Sequence, residues 1–467
     1  MVFVIVAVVA VALVAVVHWY LWRRLVADVS PPGGRWRRIG TVLAVVLGLL
    51  MPATLVGSRV LSPAGAGRII AWPGYLWLAL LLYLVIAVAV LEIPRALARP
   101  WLRRRTATSG GTAASGAATP PGTTPAASSA APTSPGEATA DRVAAGGGDT
   151  RGAVSLDRDA SADGDVAQDG AWRADGAVST GTPIDPARRQ FLARSLALVA
   201  GAAAAGTVGY GLVTELHGPV VKRVSVPLAR LSPEMDGFRV AVVSDIHLGP
   251  ILQRGFAERV VDEINRQNPD LITIVGDLVD GSVDQLGPAV QPLRHLSAPH
   301  GAYFVTGNHE YFSGVTEWVD EVRSLGVHPL RNEHQEIIGG RSSALILAGV
   351  NDATGADVSA REAPNYDAAL RGSDPANPVL LLAHQPIQVH EAAKRGVDLQ
   401  LSGHTHGGQM WPVQYAAKAQ QGYLSGLARV DRTWLYVTNG AGAWGPPVRV
   451  GAKPDITIVT LRATTSA

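Results

Sequence analysis

Leu401-Ser402-Gly403-His404-Thr405-His406-Gly407-Gly408-Gln409-Met410 decides the reading of this 467-residue chain. A short apolar run, 398–401, leads into it, and glycines surround its two histidines. In an extended backbone alternate side chains share a face, so His404 and His406 are expected to aim both imidazoles at one point. Imidazole is the commonest side-chain ligand for transition metals. Glycines at 403, 407 and 408 let the backbone turn tightly and approach a ligand. One His-x-His carries little weight alone; similar motifs upstream supply it.

Those motifs follow short apolar runs that read as strands: 238–243, 271–275, 303–306, 345–350, 379–383, 398–401, 435–438 and 456–461. Several are continuous, as strands buried on both faces are. Residues 256–268 and 315–325 have the apolar spacing of helices, so the part after Pro219 is read as an α/β domain. The first run ends in Ser244-Asp245-Ile246-His247, the second in Gly276-Asp277-Leu278-Val279-Asp280 and the third in Gly307-Asn308-His309-Glu310. The fifth ends in Ala383-His384-Gln385-Pro386, and the sixth leads into the His-Thr-His segment.

In open α/β sheets ligands gather beyond the carboxyl ends of the strands. Carboxylate, amide and imidazole groups converging there suit divalent Mn, Fe or Zn. Two four-coordinate ions need about eight ligand positions. Asp245, His247, Asp277, Asn308, His384, His404 and His406 supply these if Asp277 bridges. Taken singly, an Asp after a strand is more often a turn or cap residue, and Gly-Asn-His is compatible with a simple turn. The ordered set is what points to a dinuclear metal site.

In order and spacing the set resembles the calcineurin-like metallophosphoesterases over roughly 239–461, and it is most similar to their bacterial membrane-associated phosphodiesterase branch, in which Gly-His-Thr-His-Gly-Gly-Gln is typical. The resemblance implies a four-layer sandwich of two mixed sheets between helices. It implies that Asp245, His247, Asp277 and His406 hold one ion and that Asp277, Asn308, His384 and His404 hold the other. His309 would act on the scissile phosphate as a transition-state donor or general acid, oriented by Asp280. Where the branch often has Gly-Val-Asp-Asp, this chain has Gly349-Val350-Asn351-Asp352, a difference that bears on substrate shape.

Other residues border the motifs. Glu310 reads as a ligand-orienting group or as a surface or cap residue. Gln409 reads as a substrate-binding amide, alongside Asn308 and His309, or as a turn residue. Trp411, Trp444 and the segment 440–447 read as a rim for an apolar or ring-bearing substrate, with core packing preferred for Trp444. Arg449 reads as a surface residue rather than a phosphate contact.

The rest of the chain is membrane-like. Charged residues make up only 17% of it and the mean hydropathy is positive, which places part of it in a bilayer. There is no cysteine, so disulfides and thiolate metal sites are excluded and any metal must be held by nitrogen and oxygen. A net charge of +2 names no acidic partner, and no nucleic acid is expected. Apolar runs at about 2–20, 39–56 and 72–93 are long enough to span as helices. Basic residues follow the first run, which therefore reads as an anchor and not a cleaved signal. Arginines cluster at 23–38 and 95–105 but are sparse between the second and third runs. The positive-inside rule then puts both clusters in the cytoplasm and the amino terminus outside.

Residues 106–186, rich in Ala, Gly, Ser, Thr and Pro, read as a disordered linker. Next, Arg188-Arg189-Gln190-Phe191-Leu192 resembles a twin-arginine export signal, and the apolar run 195–213 reads as a fourth transmembrane helix. The expected domains are therefore 1–105, 106–186, 187–218 and 219–467. The expected protein is a multi-pass cell-membrane enzyme with an extracytoplasmic catalytic domain, and the twin-arginine export machinery is an expected partner. Anchoring favours a lipid-linked or cell-envelope phosphoester, since tethering raises effective concentration at the bilayer. Nucleotide phosphodiester hydrolysis and a non-catalytic phosphoester sensor are the rival readings.

Overall fold

The computed structural model describes residues 2–61, 65–98, 186–340 and 343–464. Among the described residues four long helices precede the α/β domain: Val2–Trp22, Arg35–Val60, Ala66–Leu97 and Pro186–Leu216. Among the described residues, Arg35–Gly57, Ala66–Leu97 and Pro186–Leu216 are long and apolar enough to cross a membrane. The first expected span falls in the 21-residue Val2–Trp22 helix. Each helix runs past its apolar stretch into flanking residues, because helix hydrogen bonding does not stop where hydrophobicity does. Pro52 lies within Arg35–Val60. The expected linker lies outside the described residues except for Pro186, which opens the last long helix. Proline suits that first position because its missing N–H would have no partner there.

The α/β domain is built from twelve strands: β1 Val220–Leu228, β2 Arg239–Val243, β3 Leu271–Val275, β4 Ala302–Val305, β5 His328–Pro329, β6 Glu333–Ile338, β7 Ala344–Gly349, β8 Val379–Leu382, β9 Leu399–Ser402, β10 Gly426–Val430, β11 Thr433–Val437 and β12 Asp455–Ala463. They form two mixed sheets of six, in the orders β1-β12-β2-β3-β4-β5 and β10-β11-β9-β8-β7-β6. Between the sheets lies one apolar core that includes Val240, Val242, Leu271, Leu347, Leu380 and Leu401. A second cluster, with Phe256, Val260 and Trp318, fills the space under the helices Arg254–Arg266 and Val315–Ser324. A third covers the outer face of the other sheet. This is the four-layer sandwich.

All eight expected strands are present within a residue or two. The four others, β1, β5, β6 and β10, lie at sheet edges. Edge strands bury less, and β6 reads Glu-His-Gln-Glu-Ile-Ile with an exposed, polar pattern, so no apolar run marks it.

The sheets point the loops that follow β2, β3, β4, β8 and β9 to one end of the sandwich, and the long helices pack beside that end. Val448, Met410 and Val450 join Ala79, Tyr83, Ala204 and Val208 in one apolar cluster. Gly211 on the Pro186–Leu216 helix allows this approach: a Cβ there would strike Val448 and Val450, and its carbonyl accepts a 3.0 Å bond from the Arg449 N–H. The helices are therefore packed into the domain.

Candidate metal centre

At the seam between the sheets the strand-end loops bring together three overlapping groups of donors: Asp245, His247 and His406; His247, Asp277 and His309; and Asp277, His384 and His404. Within each group the donor atoms lie within 4.8 Å of one another. One sheet supplies the residues after β2, β3 and β4, and the other supplies those after β8 and β9. Asp277 Oδ2 is 3.2 Å from His384 Nε2, and Asp245 Oδ1 is 3.3 Å from His406 Nε2. Asn308 Oδ1 lies 3.0 Å from His404 Nδ1.

The expectation that His404 and His406 face one point is corrected. Their φ values are +70° and +52°, and His406–Gly408 is a tight turn. Alternation applies only to extended backbone, so the two rings diverge. His404 joins Asp277 and His384, and His406 joins Asp245 and His247. Gly403 is needed at the start of this turn, because a Cβ there would strike Ser244 Oγ and Asp245 Oδ2.

The residues present fit divalent metal ions. His384 Nδ1 is engaged with the Val275 carbonyl at 2.7 Å, which leaves Nε2 as the free ring nitrogen. That Nε2 is buried without a hydrogen-bond partner. A buried polar atom normally has one, and a bound cation would provide it. His247 Nε2 and His406 Nε2 face each other at 3.0 Å, as lone pairs sharing a cation would. The donor set is nitrogen and oxygen throughout, the chemistry of Mn, Fe or Zn.

Neighbouring carboxylates fix these donors. Asp280 Oδ1 accepts from His247 Nδ1 at 2.9 Å and from His309 Nδ1 at 2.7 Å, so both rings turn Nε2 inward. Glu310 is fully buried and accepts from the backbone N–H groups of Asp277, Leu278 and Gly307 at 3.0, 2.7 and 2.7 Å. It caps the helix Asn308–Ser313 and orients the ligand-bearing loops at once, so the surface reading is set aside. The His404 N–H donates to both Asp245 oxygens, and the His309 N–H to Asp277 Oδ1.

The carboxylates and imidazoles of the site shift one another's charge. Burial opposes the charge of Asp277, yet His384, His309 and His247 hold its carboxyl well below the usual range. Burial likewise disfavours a proton on His309, but the hydrogen bond to Asp280 and the charges of Asp277 and Asp280 raise it to about 9. Burial and the neighbouring Asp277 push Glu310 up to about 7, against the pull of its backbone donors.

Three further readings change. The Gln409 amide donates to the Trp444 and Pro446 carbonyls and accepts from the Trp444 N–H, each at 3.0 Å; its polar atoms are committed to the rim rather than to substrate. Trp444 is 59% exposed rather than part of the core, with its ring centre 5.8 Å from that of His309. Trp411 is half-exposed, so core packing does not describe it either.

Arg449 is fully buried rather than on the surface. It donates to the carbonyls of His406 (2.7 Å), Asn439 (2.9 Å), Gly440 and Gly442, and its Nη2 approaches His406 Nδ1. Its Nε lies 3.4 Å from Glu215 Oε2, at the end of the Pro186–Leu216 helix, where Glu215 is also fully buried. Sequence reading missed Glu215. The signal was present: it is the only acidic residue in that apolar helix, and ionisable groups in such helices mark functional positions.

Comparison with known proteins gives the same reading. Residues 238–408 match the family model described as calcineurin-like phosphoesterase. A Danio rerio protein named transmembrane protein with metallophosphoesterase domain is 36% identical over 265 residues, covering 54% of this chain and 60% of that protein. Its Bos taurus namesake is 37% identical over 303 residues, 63% of this chain and 67% of that one. An uncharacterized metallophosphoesterase of Helicobacter pylori strain J99 is 34% identical over 282 residues, 59% of this chain and 73% of the relative. The chain thus spans about three fifths of the first of these curated relatives and two thirds of the second. With the donor groups at the strand ends and these relatives, the chain belongs to the calcineurin-like phosphoesterase family of metal-dependent hydrolases.

Proposed function

We propose that this protein is a membrane-anchored hydrolase of a phosphodiester or phosphomonoester, acting on a lipid-linked or cell-envelope substrate with two divalent ions, Mn, Fe or Zn, in its site. The observation that carries the reading is Asp277, whose carboxylate belongs to two donor groups at once. Asp245, His247, Asp277 and His406 would hold one ion, and Asp277, Asn308, His384 and His404 the other. Bound there, the ions supply acidification of a water for attack and neutralisation of phosphate charge.

The chain's own residues do the rest. Asp280 keeps the His309 proton at Nδ1 engaged, so Nε2 faces the site and donates to the leaving oxygen. As the water oxygen bonds to phosphorus, the bond to the leaving oxygen breaks, and the proton from His309 goes to that oxygen. The test is elemental analysis of the purified full chain. Wild type should carry two ions, and Asp277→Ala should lose both together with essentially all activity. A folded variant that keeps two ions would refute the bridging role.

The topology belongs to the same proposal. Four spans, with the arginine clusters inside, place the linker in the cytoplasm and the domain from Pro219 onward outside the membrane. Arg188 and Arg189 open the last helix, in the position of a twin-arginine signal. External protease on intact cells should cut a carboxyl-terminal tag and spare one near Gly146; a protected carboxyl-terminal tag overturns the topology. Changing both arginines to lysine should strand the domain inside if the export route is used, and unchanged cutting of the tag would exclude that route.

A further inference from the structure

A cavity of about 440 Å3 opens beside the metal centre, within the size range of small-molecule sites. Its inner wall is His309 and Asp280. Its outer wall is Leu55 and Leu78, on two of the helices long and apolar enough to cross a membrane. Between them stand Phe312 and Trp444. They are 66% and 59% exposed, with ring centres 5.6 and 5.8 Å from that of His309. The Tyr75 ring comes within 3.6 Å of where a side chain on Gly445 would begin, so the Ala66–Leu97 helix closes one side of this space directly.

Two large exposed aromatics beside a general acid would be a solubility liability in a site for a small polar ester. Next to bilayer-crossing helices they have a use: aromatic rings settle where an apolar body meets a polar end. The cavity has that polarity. It is ionic at His309 and Asp280, polar at Ser282, Gln285 and Ser313, and hydrocarbon-lined at Leu55 and Leu78.

We propose that this cavity seats the hydrocarbon chain of a lipid phosphoester, which enters sideways from the bilayer between the Leu55/Leu78 wall and Phe312, so that the membrane helices form part of the substrate site. The proposal rests on the hydrolytic reading above and deepens it. The helices are then specificity elements, and Phe312 and Trp444 hold the first methylenes beside the reacting phosphate. A headgroup-only substrate leaves the apolar wall wet and loses that binding. Each buried methylene contributes about 0.8 kcal/mol, or roughly fourfold in binding, if it comes from water.

The test uses the full-length protein in detergent, loaded with Mn, and a series of alkyl p-nitrophenyl phosphodiesters from methyl to octyl, kept monomeric. Water adds to phosphorus and p-nitrophenol leaves, so every member reports by colour. The octyl ester should exceed the methyl ester at least 100-fold in kcat/KM. Leu78→Asn and Phe312→Ser should each lower that ratio at least tenfold, with metal content checked to show that the site is intact. Phe312 is exposed, so its variant remains informative if Leu78→Asn misfolds. Equal turnover of all chain lengths by wild type would overturn the cavity's role and leave hydrolysis standing. A chain-length preference untouched by both variants would also overturn it. Turnover of no ester by fully metal-loaded protein would overturn the hydrolytic reading, and this proposal with it.

Discussion

Replacing Glu215, which is not itself a candidate metal ligand, should weaken the protein. Glu215 Oε2 and Arg449 Nε are 3.4 Å apart and both residues are fully buried. At an effective dielectric of about 20, full charges so placed would attract by about 5 kcal/mol before the desolvation of both groups is subtracted. Arg449 would keep its four carbonyl acceptors after Glu215→Ala, so the net loss should be smaller than the gross attraction. Breaking a buried pair by removing one partner costs about 3–5 kcal/mol, and the low end, about 3, is expected here. At roughly 2–4 °C per kcal/mol for a domain of this size, the melting temperature should fall by about 6–12 °C. The assay is thermal unfolding of the detergent-solubilised full chain, followed by tryptophan fluorescence. Glu215→Gln, which keeps the size and removes the charge, should show most of the same loss, whereas Leu216→Ala, at an exposed neighbour, should stay within about 0.5 kcal/mol. Because Arg449 also grips the His406 carbonyl, metal release should quicken in the Glu215 variants. A melting temperature within 2 °C of wild type would refute the claim that this pair locks the helix to the domain.

His309→Ala should keep its metal content and lose about 100-fold to 10,000-fold in rate on alkoxide-leaving substrates, with a smaller penalty for p-nitrophenolate; equal penalties would remove the general-acid role. Asp280→Asn should move the alkaline fall of kcat/KM to lower pH. The sign follows from the raised His309: its protonated form, held to about 9 by its carboxylate neighbours, is lost as pH rises through that value, and removing one neighbour lowers it. Bound cations shift both proteins in the same downward direction, so the difference between their profiles is the readout, and coincident profiles would contradict the role of Asp280.

The core strands were legible because strands buried on both faces are written as unbroken apolar runs, and the candidate ligands followed because they stand where those runs stop. Edge strands such as β6 and β10 have one wet face and leave no such mark. Backbone twist is equally silent: nothing in Gly-His-Thr-His-Gly announces the left-handed φ at both histidines that sends their rings apart. Arg449 misled for a related reason. Flanked by Val448 and Val450, it fits a period-two pattern with its own side chain outward, but the segment packs under a helix and its guanidinium is fully enclosed. Trp444 misled in the opposite sense, since a large aromatic defaults to the core unless a neighbouring surface, here the membrane helices, gives it another role.

Asp245, His247, Asp277, His404 and His406 have φ values of 52°, 48°, 54°, 70° and 52°. L-residues mostly avoid this region, at roughly 1–3 kcal/mol each; Asn, Asp and His enter it more readily than other side chains, and glycine enters it freely. Selection for the centre and selection for the fold therefore pull against each other at these five positions. A lineage freed from the need for catalysis would gain stability by drifting to glycine at 245, 277 or 404 while its strands stayed unchanged. Descendants that have become binding proteins should be recognisable by that replacement pattern, even where the sandwich itself looks intact.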